Sequence, residues 1–121
     1  MSYFTEDELR CKCGCGVYKF DEGALRALNA IREECGFPFF ITSGYRCPNH
    51  PLERGKSKAG AHQEGTAVDI NVVGEQAFEV IDTALAMGCK RIGIMQKGDY
   101  KNRFIHLDWS KTLPSPAVWS Y

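Results

Sequence analysis

The chain has 121 residues, the length of one domain, and its 15 Lys+Arg balance 15 Asp+Glu, so formal net charge is zero with His neutral. That balance argues against nucleic acid or an anionic membrane surface as partner, since both reward clustered basic charge. With 44% hydrophobic and 25% charged residues a disordered chain is also excluded, and no apolar run nears the roughly 20 residues that span a bilayer.

The opening, residues 1–8, has neither the basic n-region nor the apolar h-region of a signal peptide. Next comes Cys11-Lys12-Cys13-Gly14-Cys15-Gly16, where the glycines favour a loop over a strand. Structural zinc sites normally use two cysteine pairs with roughly two to four residues between partners, and no second pair exists here. The spacing therefore ranks a disulfide from this cluster to Cys47 or Cys35, or a set of free thiols, ahead of a second metal. Cys35 and Cys89 fall at predicted helix ends and read as small core residues.

Residues 21–36 read as a helix: Asp21 can cap it, Leu25, Leu28, Ile31 and Cys35 recur at helical spacing, and Gly36 supplies a left-handed stop. Residues 39–43 follow as a short strand after Pro38. From Gly44 to Ala61 the pattern dissolves into Gly, Pro, Asn, Ser and basic residues, and a loop of about 15 residues in so small a domain is usually functional. A strand returns at 66–72, then a helix over 75–87 with Phe78, Ile81 and Leu85 as its apolar stripe and Gly88 as its end. Strands at 91–95 and 103–109 are joined through a turn region at Lys97-Gly98-Asp99. The tail, with Pro114 and Pro116, is not expected to continue a regular element. The order implies one α+β domain over residues 1–121, with a small, mainly antiparallel sheet and helices packed on one face.

Strand alternation locates the chemistry. Val68, Ile70 and Val72 point one way and Ala67, Asp69 and Asn71 the other. Likewise Ile105, Leu107 and Trp109 oppose Phe104, His106 and Asp108. In one sheet, Asp69, His106 and Asp108 converge on the face without helices, and His62, seven residues before Asp69, is close enough to fold back onto it. Two imidazoles and a carboxylate suit a catalytic zinc ion, whereas magnesium and calcium prefer oxygen throughout. A lone histidine on a strand is more often a hydrogen-bonded residue than a ligand, and His50, between Pro48 and Pro51, is a rival third donor.

Three stretches, Ser43-Gly44-Tyr45-Arg46, then Ala61-His62-Gln63-Glu64-Gly65-Thr66-Ala67-Val68-Asp69-Ile70, then Phe104-Ile105-His106-Leu107-Asp108, together resemble the motifs of the zinc D-Ala-D-Ala peptidase family. That family includes D-Ala-D-Ala carboxypeptidases and phage peptidoglycan endopeptidases and is related in fold to the hedgehog signalling domain. The opening residues 4–16 and closing residues 116–121 resemble its small single-domain branch, so the likeness spans nearly the whole chain. The resemblance implies His62, Asp69 and His106 as ligands of Zn2+ and Arg46 as the cation that binds substrate and the tetrahedral oxyanion. A guanidinium suits that role because it stays charged and grips oxygens through two N–H groups. Many members carry Glu or His three residues before the last ligand as general base. Here Arg103 stands there and cannot accept a proton. Asp108 is the replacement candidate, with orientation of a ligand imidazole as its alternative role and Glu64 ranking behind it. Gly60 stands where many relatives place Ser.

The implied reaction is amide hydrolysis in stem or cross-link peptides of bacterial peptidoglycan. A zinc-bound water, acidified from about 15.7 toward 7, would be the nucleophile and Asp108 would take its proton. A zinc-bearing binding domain without catalysis is the alternative, with Arg103 as its best support. A monomer is expected, made in the cytoplasm from a viral or phage gene and reaching the wall by lysis or delivery.

Overall fold

The computed structural model describes residues 2–121. Thr5 opens the first helix with a reciprocal cap: its hydroxyl accepts from the Glu8 N–H, and the Glu8 carboxylate accepts from the Thr5 N–H. The cap starts the one-turn helix α1 (Glu6–Leu9), an element too short to show periodicity in the sequence. Helix α2 (Glu22–Cys35) begins where Asp21 accepts from the Ala24 N–H at 2.9 Å and ends at Gly36 with φ 77°. It buries Ala24, Leu28 and Ile31.

Five strands follow, interleaved with two more helices: β1 (Ile41–Ser43), α3 (Ala61–Glu64), β2 (Ala67–Ile70), α4 (Gly74–Ala86), β3 (Arg91–Met95), β4 (Phe104–Asp108) and β5 (Ala117–Ser120). They form one sheet in the order β1-β2-β4-β3-β5. All pairings are antiparallel except β3 with β5, so the mainly antiparallel α+β expectation holds. A 3-10 turn (Tyr100–Asn102) lies within the β3–β4 connection.

The central strands β2 and β4 obey the alternation. Val68, Ile70, Ile105 and Leu107 join Leu28, Ile31, Val80 and Ala84 in the main core, which places α2 and α4 against that face of the sheet. Each of the Val, Leu and Ile side chains contributes roughly 1.5–3 kcal/mol when buried. No helix among the described residues is long and apolar enough to cross a membrane.

Two expectations need correcting. The expected stripe of α4 is only partly its inward face: Ile81 packs against the core, but Phe78 and Leu85 are 70% and 59% exposed, while Ala77, Val80 and Ala84 are buried. Both sets recur at i, i+3, i+7, one residue or about 100° apart, and periodicity alone does not choose between adjacent apolar arcs. The small alanines let α4 lie close to the sheet, whose own large side chains fill the core. The tail, expected to be irregular, forms β5 immediately after Pro116. Proline sits without cost just ahead of a strand that has not yet begun to donate, and Ala117 makes the first bond, its N–H to the Lys90 carbonyl at 2.8 Å.

Candidate metal centre

On the sheet face opposite α2 and α4, register rather than sequence proximity brings the polar residues together. Asp69 on β2 lies directly across from His106 on β4, and the next opposed positions are Ala67 and Asp108. The short helix α3 presents His62 from the side. Asp69 Oδ1 is 3.3 Å from His62 Nε2 and 3.0 Å from His106 Nδ1, and the two imidazoles meet edge to face with centroids 5.0 Å apart. All three residues are buried, and their donor atoms lie within 4.8 Å of one another.

The partners on the far side of each ring decide where the lone pairs point. His62 Nδ1 is 2.7 Å from the Gly44 carbonyl, which only accepts, so Nδ1 carries the proton and Nε2 is left bare. His106 Nε2 donates to Asp108 Oδ2 at 2.6 Å, which leaves Nδ1 bare. Two unprotonated nitrogens and a carboxylate oxygen thus face one point, an arrangement that repels itself unless a cation or an extra proton occupies it. The 3.0 and 3.3 Å separations approach the edge, about 3.4 Å, of a tetrahedron with ligands about 2.1 Å from zinc. The donor set and its spacing fit that ion.

Where protons rather than a cation occupy that point, the inward ring nitrogens donate to Asp69 and the same contacts set the ionisation. Burial opposes a charged Asp69, but hydrogen bonds from His106 and His62 outweigh it and hold the carboxyl below the usual carboxylate range. Burial likewise opposes an imidazolium at His106, yet its bonds to Asp108 and Asp69 hold its pKa above the ordinary value. Asp108, desolvated as well, is nonetheless kept acidic by the His106 and Ser110 N–H donors and the nearby Arg91 charge.

The family model for peptidase M15 matches residues 2–108. The chain belongs to the peptidase M15 family. No curated protein matches the chain. Membership brings a metallopeptidase class and zinc dependence, in keeping with the donor set just described.

The other residues singled out from sequence are distributed as follows. Asp108 is 1% exposed with both oxygens engaged: Oδ2 by His106, Oδ1 by Arg91 Nε at 2.7 Å and by the Ser110 N–H. Arg46 lies beside the centre, its backbone N–H bonded to the His62 carbonyl, while its Nε is 3.1 Å from Glu53 Oε2. Glu64 is turned outward and accepts from the Ser110 and Thr112 hydroxyls. His50 stands outside the donor group and spends Nδ1 on the Leu52 N–H. Arg103 donates to the Gly98 carbonyl and covers the Tyr100 ring.

Three contributors were missed from sequence. Glu53, 2% exposed, sets its carboxylate against Arg46 as an ion pair at 3.1 Å, without hydrogen-bond geometry at Nε, from inside a stretch that reads as featureless loop. Arg91 reaches Asp108 because the two are cross-strand partners, which only the register discloses. Trp119 comes from β5, beyond the family match, and packs between the His106 ring at 5.1 Å and the Arg91 guanidinium at 4.9 Å. Gly93, opposite both His106 and Trp119, makes room for the indole. A Cβ there would lie 2.6 Å from Trp119 Nε1. Gly93→Ala is therefore expected to displace Trp119, lower stability by about 1–3 kcal/mol and alter the near-ultraviolet circular dichroism. An unchanged spectrum and melting curve would show that the indole is not seated as described.

Proposed function

We propose that this chain is a zinc peptidase, with the single-domain hedgehog and D-Ala-D-Ala peptidase fold, that hydrolyses peptide bonds in the stem or cross-link peptides of bacterial peptidoglycan. The observation that carries the proposal is the convergence of His62 Nε2, Asp69 Oδ1 and His106 Nδ1 with their protons directed away. Family membership supports the peptidase class, and the likeness of the Ser43–Arg46, Ala61–Ile70 and Phe104–Asp108 stretches to D-Ala-D-Ala peptidases supports the substrate.

In this reading His62, Asp69 and His106 hold zinc, a Lewis acid that polarises an amide carbonyl and acidifies water. Three protein ligands leave a position for water or substrate. Arg46 grips a substrate carboxylate or the developing oxyanion, and losing one such donor typically costs about 3 kcal/mol, over 100-fold in rate. Asp108 is a positioning residue: with both oxygens engaged, it fixes the His106 tautomer and ring angle in preference to collecting a proton itself. Trp119 shields one side of His106 from water.

Digestion of purified peptidoglycan, with products read by mass spectrometry, tests the function. Loss of a terminal D-Ala marks a carboxypeptidase, release of cross-linked peptides marks an endopeptidase, and both should cease on chelation and return with zinc. Intact sacculi after incubation with the zinc-loaded protein would overturn the peptidase reading. They would favour the non-catalytic binding domain, a reading supported by Arg103 at the usual position of an acid and by the engaged state of Asp108.

Asp108→Asn tests the positioning role. The amide still accepts a hydrogen bond but loses the charge, and zinc affinity is expected to fall about 10- to 100-fold. At saturating zinc, hydrolysis should largely recover with its pH profile unmoved. A general base would instead leave affinity intact and remove the acid limb of the profile.

A further inference from the structure

We propose that Cys11, Cys13, Cys15 and Cys47 form a second, structural metal centre, a tetrathiolate zinc site that clamps the amino-terminal loop to the segment carrying Gly44 and Arg46. The four sulfurs lie within 4.8 Å of one another, and the Cys11–Cys13 and Cys13–Cys47 Sγ separations are both 3.5 Å. A disulfide needs about 2.05 Å, and all six cysteines of the chain are free thiols. Four thiolates at about 2.3 Å from zinc have edges of about 3.8 Å, near the separations found. The other two cysteines take no part: Cys89 is buried against the Arg91 and Asp108 carbonyls, and Cys35 faces the Glu79 carbonyl.

Spacing counted against a metal here because no second cysteine pair follows. The fold supplies the fourth thiol singly. Gly14 and Gly16, at φ 105° and 68°, turn the Cys-x-Cys-x-Cys stretch back on itself, so three thiols that a strand would space out converge instead. The turn is closed by the Cys11 N–H on the Val17 carbonyl at 2.9 Å and by Arg10 Nη1 on the Gly16 carbonyl at 2.6 Å.

Backbone amides point at two of the sulfurs: the Cys47 N–H at Cys11 Sγ (3.3 Å) and the Val17 N–H at Cys15 Sγ (3.4 Å). Such donors stabilise thiolate charge. Cys11 and Cys47 are buried around Tyr45, while Cys13 and Cys15 are exposed and leave a path for entry. A set of soft sulfur donors selects zinc over magnesium or calcium. Loading replaces four S–H bonds with four metal–sulfur bonds and releases four protons to solvent.

The clamp has a consequence for the first centre. Gly44, whose carbonyl orients His62, and Arg46 both lie within three residues of Cys47, and Tyr45 is bonded to the Leu9 carbonyl at 2.9 Å. The proposal stands whether or not the protein hydrolyses peptidoglycan, because its readouts are metal content and spectroscopy. Protein purified under reducing conditions should carry about two zinc ions. Its cobalt-substituted form should show intense sulfur-to-metal charge-transfer absorption. Asp69→Ala should lose one ion and keep that absorption; Cys13→Ser/Cys15→Ser should lose one ion and the absorption together. If the double variant does not fold, the wild-type cobalt spectrum decides alone. Cobalt binding without charge-transfer absorption, or a disulfide among the four cysteines in the intact mass, would overturn the proposal.

Discussion

Asp69→Ala is expected to abolish metal binding at the His62–Asp69–His106 centre and lower hydrolysis by more than about 1,000-fold, a barrier increase of about 4 kcal/mol. Asp69 is the one anionic member of the trio and is shared between both imidazoles, at 3.3 and 3.0 Å. Without it, two neutral nitrogens remain to hold a divalent cation in a buried setting, where an uncompensated charge is costly. Loss of a direct ligand should exceed the 10- to 100-fold loss in affinity that follows removal of an outer partner. The fold should survive, because Val68 and Ile70 on either side of Asp69 point into the main core while Asp69 does not. Zinc titration calorimetry, peptidoglycan digestion and far-ultraviolet circular dichroism measure the three quantities separately. An Asp69→Ala protein that is folded and binds as many zinc ions as the wild type, with the same affinities, would remove the basis of the proposed mechanism.

The second large effect concerns the pair behind Arg46, the proposed substrate-binding cation. Glu53 is 2% exposed and its carboxylate meets Arg46 Nε at 3.1 Å and Lys56 Nζ at 3.3 Å. Lys56 is half-exposed and screened by water, so Arg46, with 13% of its side chain accessible, is the partner that matters. Glu53→Gln leaves a largely enclosed guanidinium without its counter-charge; breaking a fully buried pair from one side typically costs about 3–5 kcal/mol, and the 13% accessibility of Arg46 puts the expected loss at or below the lower end of that range. Chemical denaturation should show that loss. Arg46→Met/Glu53→Gln removes both charges and should regain much of the stability, since an apolar replacement of a buried pair is often neutral. It should not regain hydrolysis, because no group is left to grip a carboxylate or oxyanion. Full activity in the double variant would show that Arg46 is structural, with no part in binding substrate.

Much of the fold is legible along the chain because its signals are local. Asp21 and Gly36 delimit α2 through bonds made within one turn of each end. Alternation in β2 and β4 separates the core side chains from Asp69, His106 and Asp108, because successive side chains of any strand point to opposite faces. Where two local solutions are equally good, as for the adjacent apolar arcs of α4, the chain's own pattern does not choose, and packing against the sheet selects the arc with alanines.

What the amino-acid order determined by itself is therefore the inventory: which donors exist, which strand face each one takes, and which family the motifs resemble. Tertiary structure alone decided which groups meet: Arg91 with Asp108, Glu53 with Arg46, Trp119 over His106, and a lone Cys47 with three cysteines 32 to 36 positions earlier. Periodicity and capping are written within a turn or two of backbone, whereas these meetings depend on strand register and loop closure, quantities set by the energy of the whole chain at once.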